Sequence, residues 1–384
     1  MRVLHLCRDL APESNGGLSI AVAGMLSALQ GANFKCAAWS FDSWRPKAKA
    51  GTKSAPSPAW TQEENQKTLR IRTPDQLSAA SKLCSAWHPE LLHVHHGMLW
   101  QEAKNIEIRL GRDLPKIFHL HVLQAEQERL RGQTESTMSS RAEAQALDEA
   151  QAIIAPSLAA AQALLRHAPK VSTRLHVIGL GIDTHPAVKR TPGQEEKSSI
   201  LVAGRFADVK GTDLLGEILS EVLERAPQTQ VYLAGGCPEN LRGQRRWLRR
   251  IEATLGPEKM ARVKFLGWLS PEALNKAYDD ASLLLSPSRF ETFGQNVLEG
   301  MLHGLPVVAA RAGGLVELIE DGESGLLCPV GDAQGMAEAC LTLLTHPKKA
   351  QAMGRAGAQL AQKRDWSGPA QHIASLYEKL NPPF

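Results

Sequence analysis

The stretch Ser286-Pro287-Ser288-Arg289-Phe290-Glu291-Thr292-Phe293-Gly294-Gln295-Asn296-Val297-Leu298-Glu299-Gly300 decides how this chain is read. It follows a short apolar run at 282–286, the length of a buried strand. A tight loop comes next, and an amphipathic helix is predicted to begin near Gly294. That order aims the backbone N–H groups of Phe293, Gly294, Gln295 and Asn296 outward at the positive end of a helix, ready for an anion. Gly294 has no Cβ to hold a ligand away from the backbone. Glu291 lies in the loop and Glu299 more than a turn inside the helix. Carboxylates placed on either side of an anion suit the hydroxyls of a hexose and of a ribose, because a carboxylate accepting vicinal hydroxyls makes charge-assisted bonds.

About 80 residues upstream, the run at 199–203 ends in Gly204-Arg205, and Lys210-Gly211 follows after a short loop. Two cations at the C-terminal edge of a parallel sheet would neutralise a diphosphate leaving group without a metal. Further strands are predicted at 2–7, 91–95, 116–121 and 152–156, then at 230–234, 263–265 and 305–309. Helical patterns at 19–29, 143–150, 213–223 and 272–278 alternate with them. Alternation of this kind marks βαβ units with parallel sheets. With 384 residues, two α/β domains fit better than one sheet. The polar segment 184–198, with Pro186, Pro192 and Gly193, reads as the linker, and 45–66 as a surface loop.

Composition narrows the class. Hydrophobic residues make up 43% and charged residues 22%, ordinary for a soluble globular protein. No run approaches the ~20 apolar residues of a membrane span, and the first residues look like a strand rather than a secretory signal. A cytoplasmic protein is expected. The six cysteines are scattered, which suits small buried thiols better than disulfides. Net charge is +4, split as about +6 over 1–190 and about −2 over the rest. The basic half, the loop lysines, and the run Arg242…Arg245-Arg246-Trp247-Leu248-Arg249-Arg250 suit an anionic acceptor, a peripheral membrane contact or a plain solvated face. No nucleic-acid motif is present, and no GxGxxG follows a strand, which disfavours a dinucleotide-dependent dehydrogenase.

Nearly the whole chain resembles the family-4 retaining glycosyltransferases of GT-B fold. The carrying segments are Gly204-Arg205…Lys210-Gly211, Phe265-Leu266-Gly267, Glu291-x7-Glu299, His303-Gly304-Leu305-Pro306-Val307-Val308, Gly313-Gly314…Glu317-Leu318-Ile319 and Gly322-Glu323-Ser324-Gly325-Leu326-Leu327. The resemblance implies an α/β architecture of two Rossmann-like doubly wound domains facing across a cleft. The first would be an acceptor-side domain at 1–183 and the second a donor-binding domain at 199–365, with a final helix in 366–384 returning to the first. It implies that Arg205 and Lys210 hold the donor diphosphate, Glu299 the ribose, and Glu291 the transferred sugar together with the backbone of Phe293 and Gly294. The base is expected near Gly267-Trp268-Leu269, the Gly16-Gly17 loop near the donor phosphate, and His121 facing the sugar.

His93, His95, His96 and His119 also invite a metal, since strand alternation pairs His93 with His95 and His119 with His121. Core or cleft histidines without metal are the expectation, and no cofactor is expected. Two departures stand out. Gly179-Leu180-Gly181-Ile182-Asp183 replaces the family's usual Pro-Asn-Gly, and Gly235-Gly236-Cys237 lacks the customary acidic residue. The expected activity is transfer of a hexose-type sugar from a nucleoside diphosphate, UDP before GDP, to a saccharide, lipid-linked or small-molecule hydroxyl in polysaccharide or glycoconjugate assembly. The alternatives are a nucleotide-sugar epimerase, a phosphorylase or a non-catalytic nucleotide-sugar sensor.

Overall fold

A computed structural model describes residues 1–11, 16–32, 34–41, 61–63, 66–71, 74–133, 135–184, 198–237 and 240–382. Most of the expected surface loop at 45–66 and most of the expected linker lie outside the described residues. The chain divides into two compact units. Unit 1 takes residues 1–128, 133–181 and 366–384, and unit 2 takes 129–132 and 182–365.

Unit 1 is built on eight strands: β1 (Arg2–Cys7), β2 (Lys35–Ser40), β3 (Thr61–Glu63), β4 (Gln66–Arg70), β5 (Leu91–Val94), β6 (Lys116–His119), β7 (Ala152–Ala155) and β8 (Leu175–Val177). They lie in the order β3-β4-β2-β1-β5-β6-β7-β8, and only the β3–β4 pair is antiparallel. β5, β6 and β7 are buried at every position, as expected of parallel strands covered by helices on both faces. After β1 the chain builds outward on one side through β2, and from β5 onward on the other. The carboxyl ends of β1 and β5 therefore flank the point where strand order reverses, which is where open α/β sheets bind ligands.

Unit 2 repeats the plan with six parallel strands: β9 (Ser199–Arg205), β10 (Gln230–Gly236), β11 (Val263–Gly267), β12 (Leu283–Ser286), β13 (Val307–Ala310) and β14 (Leu326–Cys328). Their order, β11-β10-β9-β12-β13-β14, puts the reversal between β9 and β12. Ile200, Leu219, Val231, Leu233, Leu285 and Met336 are among the side chains that fill its core. Each such burial contributes roughly 1.5–3 kcal/mol over exposure. The helix Leu241–Met260 turns Ile251 and Leu255 inward. Its outer face carries Arg242, Arg245, Arg246, Arg249 and Arg250, all exposed and spaced to share one side.

The chain ends in unit 1 with the helix Ser367–Leu380. Trp366, just before it, fills a slot between two glycines. A Cβ on Gly24 would sit 2.2 Å from the indole Nε1, and one on Gly181 2.6 Å from Trp366 Cα. Gly181 belongs to the segment that departs from the family pattern, and this contact gives its lack of a side chain a physical reason. Two details depart from the sequence expectations. β6 stops at His119, so His121 lies past the strand in a bend. Strands β2, β3, β4, β8 and β14 went unread, being short or, in Lys35-Cys36-Ala37-Ala38-Trp39-Ser40, buried without polar alternation.

Candidate active site

At the β9/β12 switch point, two loops are locked together. Gly211 takes φ +66°, and a Cβ there would sit 2.0 Å from the Pro287 carbonyl oxygen. The backbone N–H of Arg289 donates to Val209 O at 2.8 Å. The Arg289 guanidinium donates to both carboxylate oxygens of Asp213, at 2.5 and 2.7 Å, a planar bidentate pairing that a lysine could not make. The loop after β9 and the loop after β12 thus form one platform.

Lys210 and Glu291 meet on it. Lys210 Nζ donates to Glu291 Oε1 at 2.5 Å, and Ser288 Oγ donates to the same oxygen at 2.8 Å. Glu291 is buried while the lysine is half-buried. Its backbone is held from the other side, because Gly314 N–H donates to Glu291 O at 2.8 Å. Gly313, at φ +52°, approaches so closely that a Cβ would lie 2.0 Å from that oxygen. The Gly313-Gly314 pair is therefore a clamp on Glu291.

The helix Gln295–Leu302 starts as expected, with Gly294 at φ +106° as its N-cap. The bonds to Gly294 O begin at Val297 and Leu298, both at 3.0 Å, so the N–H groups of Gln295 and Asn296 have no partners within the helix. Asn296 Nδ2 donates to Ala203 O at 2.8 Å, which ties the helix to β9. Gln295 Oε1 is buried with no hydrogen-bond partner among the described residues. Glu299 accepts the Tyr278 hydroxyl at 3.0 Å, and burial pushes its carboxyl up to about 7 against the lowering effect of that bond. Phe293 is buried. Arg205 is exposed at the end of β9, and Trp268 is exposed beyond β11 at the sheet edge. Sequence reasoning missed Ser288, Tyr278 and the Arg289–Asp213 pair. Only the position of Ser288, three residues before Glu291, offered any signal for them.

In unit 1, Gly16 is the N-cap of the helix Gly17–Gly31, and Ser19 Oγ donates to Gly16 O at 2.7 Å. At the β1/β5 switch point His121 is half-buried, with its Nε2 2.9 Å from His95 Nδ1. Burial, with like-charge neighbours His119 and His96, holds its imidazole well below the usual histidine range. Unit 2 therefore pairs Lys210 with Glu291 just ahead of the helix that carries Glu299, whereas Gly16, Gly17 and His121 lie in the other unit.

Two family models match successive parts of the chain: Glycosyltransferase Family 4 over residues 15–185 and Glycosyl transferases group 1 over residues 197–346. The chain belongs to the group 1, family-4 glycosyltransferases. A curated member of this glycosyltransferase family, D-inositol 3-phosphate glycosyltransferase of Corynebacterium efficiens, is 29% identical over 313 residues, covering 76% of this chain and 71% of the relative. Sucrose-phosphate synthase from Thermosynechococcus elongatus superposes with TM-score 0.76 at 24% identity, over 99% of both chains. Anabaena HepE in complex with UDP-glucose gives 0.75 at 22%, over 99% of this chain and 100% of that one. The glycosyltransferase fold is thus the two-domain, Rossmann-like GT-B fold.

Proposed function

We propose that this glycosyltransferase moves a hexose-type sugar from a nucleoside diphosphate, UDP before GDP, to an acceptor hydroxyl with retention at the anomeric carbon. The observation that carries this reading is the Lys210–Glu291 pair beside a free helix N-terminus at the β9/β12 switch point. One carboxylate and one ammonium are there pre-positioned for a sugar and its leaving phosphate. Lys210, Arg205 and the first-turn N–H groups take the negative charge that grows on the diphosphate as the anomeric bond breaks. Glu291 and the unpartnered Gln295 Oε1 accept sugar hydroxyls, and Glu299 accepts those of the ribose. The family resemblance assigns the base to the region of Trp268, and roles toward donor phosphate and sugar to Gly16, Gly17 and His121.

The acceptor hydroxyl attacks on the face from which the diphosphate departs, and a phosphate oxygen takes the acceptor's proton. The products are a glycoside and a nucleoside diphosphate. Transfer by this route needs no metal cofactor. HepE was solved with UDP-glucose, which favours a uridine donor here. The acceptor is proposed to be a saccharide, a lipid-linked glycan or a small polyol in glycoconjugate or polysaccharide assembly, reached in the cytoplasm. The arginine face of Leu241–Met260 suits an acidic acceptor or the inner membrane surface. Proton NMR of the glycoside made from a UDP-hexose tests the stereochemistry: the donor's anomeric configuration is expected in the product, and its inversion would overturn the reading.

A further inference from the structure

Five histidines of unit 1 gather at the β1/β5 switch point: His5 on β1, His93 on β5, His95 just past it, His119 closing β6, and His121 beyond. The rings stack, with centroids 4.4 Å apart for His93–His95 and 4.2 Å for His119–His121. They are wired as two rows. In one, His5 Nδ1 lies 3.1 Å from His95 Nε2, and His95 Nδ1 lies 2.9 Å from His121 Nε2. In the other, the Tyr377 hydroxyl lies 2.6 Å from His93 Nδ1, and His93 Nε2 lies 3.2 Å from His119 Nδ1. His119 Nε2 is buried and has no hydrogen-bond partner among the described residues. An unsatisfied ring nitrogen in an interior calls for an explanation.

We propose that His95, His119 and His121 form a binding site for a divalent transition-metal ion, Zn2+ foremost. One ring nitrogen from each lies within 4.8 Å of the other two. On the side turned away from His5 and His93 lie the orphaned His119 Nε2 and the facing pair His95 Nδ1 and His121 Nε2. Metal-bound histidines are held through their second nitrogen, and that support is built. His5 holds the far nitrogen of His95, and His93, itself held by Tyr377, holds the far nitrogen of His119. An all-imidazole set selects zinc, copper or nickel over magnesium or calcium.

The inner trio His5, His93 and His95 is equally close, but His5 and His93 are completely buried. The outer trio opens on a small cavity that also borders Leu18, Gly97 and Glu143. Partly exposed His121 gives an entry path, and three imidazoles would leave the fourth tetrahedral position to water, as in three-histidine zinc sites. This site does not depend on the transferase reading. If that reading also holds, an ion would take the imidazole assigned to the sugar, so Zn2+ should inhibit transfer.

The test uses full-length protein without a histidine tag, stripped by chelator and titrated with Co2+, with bound Zn2+ counted by mass spectrometry after gel filtration. One equivalent is expected, with visible Co2+ bands of a low-coordinate site and no competition from Mg2+. His119→Gln and His121→Gln should weaken binding at least tenfold while circular dichroism stays unchanged. His346→Gln, exposed in unit 2, should bind as the wild type does. If His119→Gln does not fold, His121→Gln at the open edge carries the same comparison. Wild-type protein that retains no stoichiometric ion, or a folded His121→Gln that binds normally, overturns the proposal.

Discussion

At the residue scale, Lys210, Glu291 and Glu299 do different work. In the proposed reaction Lys210 meets charge that develops as the donor breaks, so Lys210→Ala should lower kcat about 10²-fold, the size seen when one preorganised donor to a developing anion is removed. Steady-state kinetics with a UDP-hexose would show it, and an unchanged kcat would count against the role. Gly313 is structural. A Cβ there meets the Glu291 carbonyl at 2.0 Å and its backbone sits at positive φ. Gly313→Ala should therefore cost more than about 1 kcal/mol in denaturant unfolding and disorder Glu291. The Glu291…Glu299 spacing was legible in the sequence because a loop and a helix fix it locally. Ser288 on Glu291 and Tyr278 on Glu299 were not legible, since hydrogen bonds between side chains depend on rotamers and, for Tyr278, on packing between elements 21 residues apart.

At the element scale, most of the apolar strands were readable, along with the start of Gln295–Leu302, but three-residue β14 was too short to stand out. β2 lacks polar alternation and β8 is three residues long at the edge of its sheet, so neither stood out locally. The helix Met138–Glu149 supplies a pH test. Burial pushes the Glu143 carboxyl from 4.5 up to about 8, against the lowering effect of backbone N–H groups of Gln124 and Ala125. The folded state therefore keeps a proton that the unfolded chain loses between those two values, and this group's contribution to stability falls as pH rises through that window. Glu143→Gln should flatten that decline in melting temperature, and an unaltered slope would show the carboxyl to be ionised in the fold. At the chain end, Trp366 and Tyr377 bind the last helix into unit 1. Tyr377→Phe strips His93 Nδ1 of its partner and should destabilise by about 1–3 kcal/mol.

At the scale of the whole molecule, two doubly wound units were legible as an alternation of strand and helix patterns. The gathering of five histidines was only half legible. Alternation paired His93 with His95, but bringing in His5 required the strand order β1-β5-β6, which no local pattern states. The arginine face of Leu241–Met260 makes a molecular prediction as well. If it serves an anionic surface, pelleting with vesicles rich in anionic lipid should fall steeply with salt, and Arg245→Glu with Arg249→Glu should abolish it. Pelleting that ignores both salt and substitutions would assign the face to solvent.

The central claim is that unit 2 holds a nucleotide sugar through the carboxylate and cation set at β9 and β12. Calorimetric titration with UDP-, GDP- and ADP-sugars, wild type against Glu299→Ala, tests it most directly. Selective binding is expected, strongest for a UDP-sugar and weakened at least tenfold, about 1.4 kcal/mol, by the substitution. Binding of equal strength in the variant, or no binding of any nucleotide sugar by the wild type, would contradict it.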